Sequence, residues 1–413
     1  MNILHLMPYS PDPPIFGGAL RMHHLLNHLA ERHQVTLACF GTADVPSKLH
    51  QAYNGRLCDV YAVPYPLVGR HRRLGQFISH WTRHSYLHLV CRSGDMQSLI
   101  DRLLSQKPYD VVQSEFSMMG SYRFGTRPVK ILDAHNVEYD IYRRMTEHAW
   151  SWLRKRHYDH EYRKLRDEER EVCRAQDAIF VTSARDKELL DSDVPHIPKF
   201  VVPNGVDLSY FKPSDKPGHP YSPNSPYSIV FTGLMGYVPN YDGILHFLDA
   251  TFPLIKKSVP QATVTIVGNK PPRELVRRSG DGVTVTGLVG DVRPYVWNSS
   301  VYVVPLRMGG GTRLKVLEAM AMKKPIVTTT IGCEGIDVRH GESVLVADSP
   351  RQFADAVVSL FQDRSLRDRL TRNGYELVRQ RYDWSVIGDQ VDSIYQLMLR
   401  SAGRKELVET YDA

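Results

Sequence analysis

The sequence predicts an α/β protein of two domains with parallel sheets, and three observations carry that prediction. Short runs rich in Val, Ile and Phe alternate with longer stretches of helical period along the whole chain. Apolar runs of that length bounded by turns are what strands covered on both faces look like, and the alternation implies right-handed βαβ units in open sheets. At 413 residues the chain is too long for one ordinary core, so two domains of roughly 150–200 residues are expected. Mid-chain, Val201–Asp207 is followed by Pro213–Pro223, the richest Pro/Gly/Ser stretch of the sequence, and the hinge is placed there.

In the first half the strands are expected at Asn2–Met7, Gln34–Phe40, Asp59–Val63, Asp110–Gln113, Lys130–Ala134 and Ala178–Thr182. Amphipathic helices such as Leu20–Arg32 and Met96–Ser105 separate them. In the second half they fall at Ser228–Thr232, Thr263–Val267, Val283–Thr286, Ser300–Pro305, Ile326–Thr329 and Ser343–Val346. The resulting domains are 1–200 and 201–385, with 386–413 a closing helix that crosses back to the first domain and ends in a polar tail. Two such domains with a cleft between them would bind a ligand at the carboxyl ends of their strands.

Composition narrows the class. The apolar and charged fractions, 42% and 23%, are those of a globular protein, and no window approaches the roughly 18–20 apolar residues of a membrane span. Met1–Pro8 lacks the basic and long apolar regions of a signal peptide and reads as a strand. Cys39, Cys58, Cys91, Cys173 and Cys333 are scattered, odd in number and form no CxxC pair, which argues for a reducing compartment and against zinc. A cytoplasmic protein is expected, acting at the inner face of the cell membrane if it meets a membrane at all. The net charge of +7 suits anionic ligands or an anionic membrane face. Without a dense Lys/Arg tract or an aromatic-flanked basic motif, no nucleic-acid partner is expected.

The strongest site signal is Gly309-Gly310-Gly311 between the strand Ser300–Pro305 and a helix Arg313–Met322. Glycines let the backbone approach a ligand and let N–H groups converge on an anion at a helix start. Thr312 is a good N-cap, and Leu314, Leu317 and Ala321 give the helix a buried stripe. Arg313 and Lys315 in the first turn oppose the helix dipole, and a bound diphosphate would turn that repulsion into attraction. Glu318, three residues after Lys315, can face the same side and accept bonds from two ribose hydroxyls. The blander alternative is a flexible turn beside a solvated Lys–Glu pair.

The run Arg307–Ala321 resembles the donor-site motif of glycosyltransferase family 4. Further matches are Gly17-Gly18, Asp133-Ala134-His135-Asn136, Val202–Asp207, Phe231-Thr232-Gly233 and Ile266-Val267-Gly268. The resemblance implies the GT-B fold, two Rossmann-like domains facing each other across a cleft, and sugar transfer with retention of anomeric configuration. It implies a nucleoside-diphosphate sugar as donor, UDP-linked ahead of GDP-linked, and a glycan or polyprenyl-linked acceptor of bacterial surface-polysaccharide synthesis. The sequence departs from the family twice. Gly310 stands where many members carry the first of two glutamates, and Gly233–Gly243 lacks an Arg/Lys pair that many members place there. Arg313 and Lys315 are therefore expected to take over the diphosphate.

By the same resemblance the Gly17-Gly18 loop touches the diphosphate, Gly233 and Gly268 line the donor, and His135 hydrogen-bonds the donor sugar or its developing charge. Asn136 and Glu138 position the acceptor, and backbone groups of Leu288 or Val289 read the nucleobase. Asp291 fits best as the N-cap of a helix Val292–Asn298. His71-Arg72-Arg73 and Arg83-His84, interleaved with Leu74, Phe77, Ile78, Trp81 and Tyr86, form a basic amphipathic stretch. It suits a membrane interface, or else ordinary core under a solvated face. Trp150–Arg174 reads as a solvated helix. No covalent nucleophile stands out, no DxD-like pair lies near the diphosphate loops, and neither a metal nor a cofactor is expected. A nucleotide-sugar epimerase of the same fold and a noncatalytic partner of another transferase are the alternative readings.

Overall fold

The computed structural model describes residues 1–147, 151–213, 226–309 and 311–409. It divides into two compact units, Met1–Pro203 together with the chain from Ile387 onward, and Asn204–Val386.

The first unit is built on β1 (Asn2–Met7), β2 (Gln34–Phe40), β3 (Asp59–Val63), β4 (Val111–Glu115), β5 (Val129–Ala134), β6 (Ala178–Val181) and β7 (Lys199–Val201). These strands are parallel and lie in the order β3-β2-β1-β4-β5-β6-β7. The second unit holds β8 (Ser228–Thr232), β9 (Thr263–Val267), β10 (Val283–Val285), β11 (Val301–Val304), β12 (Ile326–Thr328) and β13 (Leu345–Val346). They too are parallel, in the order β10-β9-β8-β11-β12-β13. Near-continuous apolar strands are what two-sided burial demands, and β8 and β11 are buried at every residue. In both sheets the chain order reverses next to the first strand, at β1/β4 and at β8/β11. Loops at the carboxyl ends of strands flanking such a switch point form the ligand crevice of open α/β sheets.

Several expected elements move. β4 runs on through Ser114 and Glu115, polar residues that the apolar pattern left out. Lys199–Val201 is a short strand that runs up to the start of the expected hinge, and residues 214–223 of that hinge lie outside the described residues. The first helix is Gly17–Arg32, so Gly17 and Gly18 open it and Phe16 is its N-cap residue. The charged helix is Trp152–Arg174, with Trp150 outside the described residues. It is not simply solvated, because Glu161, Leu165, Glu169, Val172 and Cys173 are buried along one face. The helix Trp384–Glu409 packs on the first unit from Ile387 onward. There Tyr395 is fully buried and Asp392 bonds His33 at 2.9 Å and Arg32 at 3.1 Å.

The basic amphipathic stretch forms the helices Arg72–Trp81 and Tyr86–Cys91. Leu74, Phe77 and Trp81 are 45%, 65% and 76% exposed, so this stripe is not ordinary core. Among the described residues no helix is long and apolar enough to cross a membrane.

Candidate functional site

In the second unit the loops after β8, β9 and β11 converge. Gly268, at the end of β9, sits at φ +155°, and a Cβ there would lie 1.7 Å from the Gly233 carbonyl oxygen. The two turns touch backbone to backbone, which no other residue permits. Gly268 also donates its N–H to the Gly287 oxygen at 3.2 Å, bringing in the loop after β10. On that loop Leu288 is 75% exposed and Val289 half-buried, a placement open to a flat ligand. Gly309 and Gly311 after β11 both have positive φ, +126° and +77°; Gly310 lies outside the described residues.

The helix after this loop is Leu314–Ala321, one residue shorter at its start than Thr312 as a cap would give. Thr312 is not the N-cap. Arg313 holds that position at φ −85°, ψ 81°, without a side-chain cap bond. The Thr312 hydroxyl is buried with no hydrogen-bond partner among the described residues. Arg313 therefore lies outside the first turn. It is 7% exposed, donates from Nε to the Ile331 oxygen at 3.3 Å, and packs against Gly309, where a Cβ would stand 2.9 Å from Nη2. The buried face of the helix is wider than a stripe, since Val316, Leu317, Ala319, Met320 and Ala321 are all buried.

Lys315 reaches back to the turn after β8. Its Nζ donates to the Thr232 oxygen and to Asn240 Oδ1, each at 2.7 Å, and lies 4.3 Å from the centre of the Phe231 ring. Burial pulls its pKa down to about 7, with Glu318 opposing that shift and Arg313 adding to it. Burial likewise raises Glu318 to about 7 against the pull of Lys315. The ammonium thus stands at the Thr232-Gly233 turn, the stretch that lacks cations of its own. Asp291 is not a helix cap either. The helix is Arg293–Trp297 with Val292 at its N-cap, and Asp291 accepts from the Arg293 backbone N–H at 2.9 Å and clasps its guanidinium.

In the first unit the site gathers at the ends of β1, β4 and β5. A Cβ on Gly18 would crowd Tyr9 Oη at 2.7 Å and touch His135 Nδ1 at 3.5 Å, so the helix start runs along the imidazole edge. His135 follows β5, is 5% exposed, stacks on Phe116 with centroids 3.9 Å apart, and bonds Glu115 through Nε2 at 2.5 Å. Glu115 is also bonded by His5 and by Gln113. Burial works against its charge, but the two imidazoles outweigh it and hold the carboxyl below its usual range. Asn136 bonds Glu138 at 3.4 Å, and burial raises the Glu138 pKa against Asn136 and His135.

Glu115, Asp133 and His135 bring ligand atoms within 4.8 Å of one another. Their donors are committed elsewhere, however. Asp133 is paired with Arg21 through two bonds of 2.9 and 3.0 Å, and both Glu115 oxygens accept N–H bonds. The cluster does not fit a resident cation.

Residues 16–210 match the family described as Glycosyltransferase Family 4, and residues 226–363 the one described as Glycosyl transferases group 1. The chain belongs to glycosyltransferase family 4.

This glycosyltransferase is 23% identical over 396 residues to a 44.6 kDa protein of the cps region of Klebsiella pneumoniae, covering 90% of this chain and 94% of that one. It is 28% identical over 213 residues to a phosphatidyl-myo-inositol mannosyltransferase of Mycobacterium leprae, spanning 50% of this chain and 55% of the relative. Its structure is similar to that of Anabaena Alr3699/HepE in complex with UDP. The TM-score is 0.66 at 14% identity, covering 96% of this chain and all of that one, which establishes the GT-B fold.

Of the residues predicted for the transferase, the structure groups Gly233, Gly268, Gly309, Gly311, Thr312, Arg313, Lys315 and Glu318 in the second unit. It groups Gly17, Gly18 and His135 in the first, with Asn136 and Glu138 adjoining. Sequence reasoning missed His5, Gln113, Glu115 and Asn240. The signal was present in Gln113-Ser114-Glu115, a polar triplet ending an otherwise apolar strand, and in His5 within β1.

Proposed function

We propose that this glycosyltransferase takes a hexosyl group from a nucleoside-diphosphate sugar, UDP-linked ahead of GDP-linked, and transfers it with retention to a glycan or polyprenyl-linked acceptor. The observation that carries the reading is Lys315. A cationic side chain is held at the sheet switch point, half-buried and at a depressed pKa, beside turns whose glycines have positive φ. An anion there relieves the cost of keeping the charge. Support also comes from the structural relative solved with UDP and from the relative in a cps region.

In the transfer, the bond from the anomeric carbon to the diphosphate oxygen breaks as the acceptor oxygen bonds that carbon on the same face. The acceptor's proton passes to the departing phosphate. The second unit supplies Lys315, Arg313 and loop N–H groups to the charge developing on the diphosphate, and no metal or cofactor is assigned. Leu288 and Val289 take the nucleobase, Glu318 the ribose, His135 the sugar, and Asn136 and Glu138 the acceptor. The exposed Leu74, Phe77 and Trp81, next to the basic residues of the same stretch, seat the protein on an anionic membrane at the inner face of the cell. Five free thiols accord with a reducing compartment.

The test is incubation of the purified protein with single UDP-, GDP-, ADP- and dTDP-sugars, with and without lipid extract. Acceptor-dependent release of nucleotide is the expected result. Isomerised donor, or binding without turnover, would contradict the reading.

A further inference from the structure

A chain of buried hydrogen bonds links the last helix of the protein to His135. The Tyr395 hydroxyl donates to Gln113 Oε1, Gln113 Nε2 donates to Glu115 Oε1 at 2.7 Å, and Glu115 Oε2 accepts from His135 Nε2 at 2.5 Å. His5 Nε2 bonds Oε1 as well. Tyr395, Gln113 and Glu115 are each 0% exposed. On its flat side the His135 ring rests on Phe116, and its Nδ1 edge runs beside Gly18.

The chemistry of this chain has one consequence for His135. A carboxylate is an acceptor only, so the hydrogen on the His135–Glu115 bond belongs to Nε2. In the neutral ring Nδ1 is then the acceptor, and its direction is set by the carboxylate plane. That plane is fixed by His5 and Gln113, and the Gln113 amide is in turn oriented by Tyr395. Each partner removes a rotation that the next would otherwise keep.

We propose that Tyr395, Gln113 and Glu115 are positioning residues for transfer, locking His135 in one tautomer and one orientation so that its Nδ1 edge is presented along the Gly17-Gly18 helix start. The inference rests on the role proposed above for His135. It makes the closing helix, 282 residues from Gln113 in sequence, a working part of the site and not only a clasp.

Tyr395→Phe keeps the ring stacked on Phe180 and deletes only the hydroxyl. Expected is a fall in kcat of about tenfold with the donor KM within about twofold, because a misaimed group costs rate more than binding. Histidine-selective 15N NMR reads the tautomer directly. The wild type should show His135 as the Nε2–H form, and Tyr395→Phe and Glu115→Gln a mixture. In a His135→Gln background, adding Tyr395→Phe should lower kcat no further. Unchanged kcat and tautomer in Tyr395→Phe would overturn the proposal, as would an undiminished effect in the His135→Gln background. If Tyr395→Phe proves unstable, Glu115→Gln carries the same readouts. If the wild type transfers no sugar, the proposed function fails, while the NMR measurement still decides on the relay.

Discussion

Replacing Lys315 with methionine separates what this residue does for ligand from what it does for the fold. Methionine keeps the aliphatic stem along Phe231 and removes only the ammonium that bonds Thr232 and Asn240. A charge-assisted contact to a diphosphate contributes about 1.5–3 kcal/mol, so UDP or GDP should bind roughly 10- to 100-fold more weakly. The free protein keeps Lys315 at about 7 instead of 10.5. Between those values the unfolded chain binds more protons than the folded one, so this residue lowers stability at neutral pH and the deficit fades as pH rises. Lys315→Met should therefore melt no earlier than wild type at pH 7.

Binding has the opposite slope. A diphosphate needs the ammonium, so above about pH 7 binding takes up a proton and affinity falls as pH rises. Glu318 titrates near the same pH, so the slope is best read from about pH 8 to about pH 9.5, by calorimetric titration of nucleoside diphosphate. Wild type should lose affinity over that window and Lys315→Met should not. Equal affinity within about twofold and equal slopes in the two proteins would refute the assignment.

Gly268→Ala forces a side chain into the Gly233 carbonyl at a backbone angle that disfavours it; a loss of more than about 2 kcal/mol in denaturant unfolding is expected. Arg21→Met leaves Asp133 buried and unpaired, which should cost about 3–5 kcal/mol. Burial already raises the Asp133 pKa against the pull of Arg21. The folded state therefore holds its proton more tightly than the unfolded chain, and the Arg21→Met deficit should shrink as pH falls, as thermal melts at several pH values would show. Phe77→Ser with Trp81→Ser should weaken co-sedimentation with anionic vesicles while leaving Tm unchanged, since both rings are mostly exposed; unaltered vesicle binding would remove the membrane contact.

The parallel sheets were legible because two-sided burial writes itself as uninterrupted apolar runs, and β1, β2, β3, β8 and β9 have the expected limits. Glycines were legible for the same kind of reason: Gly268 stands where a Cβ has no room, and Gly18 where one would crowd Tyr9. The first turn of the donor helix was not, because Thr312 is as good a cap by type as any residue, and only the backbone shows Arg313 in that position. Nor was the network around Glu115. Its members come from β1, β4, the end of β5 and the last helix, and no spacing along the chain ties His5 to Tyr395. Asp133 and His135, two residues apart in one motif, stay close in space but take different partners. The first serves the Arg21 pair and the second the Glu115 chain.

The proposed transfer depends on one place, the turns after β8, β9 and β11, as the seat of a nucleoside diphosphate. Hydrogen–deuterium exchange of the full chain with and without UDP or GDP measures that place. Slowed exchange is expected at Thr232–Met235, Gly287–Val289 and the loop and helix from Gly309 to Ala321. Protection confined to other segments, or none at saturating nucleotide, would contradict it.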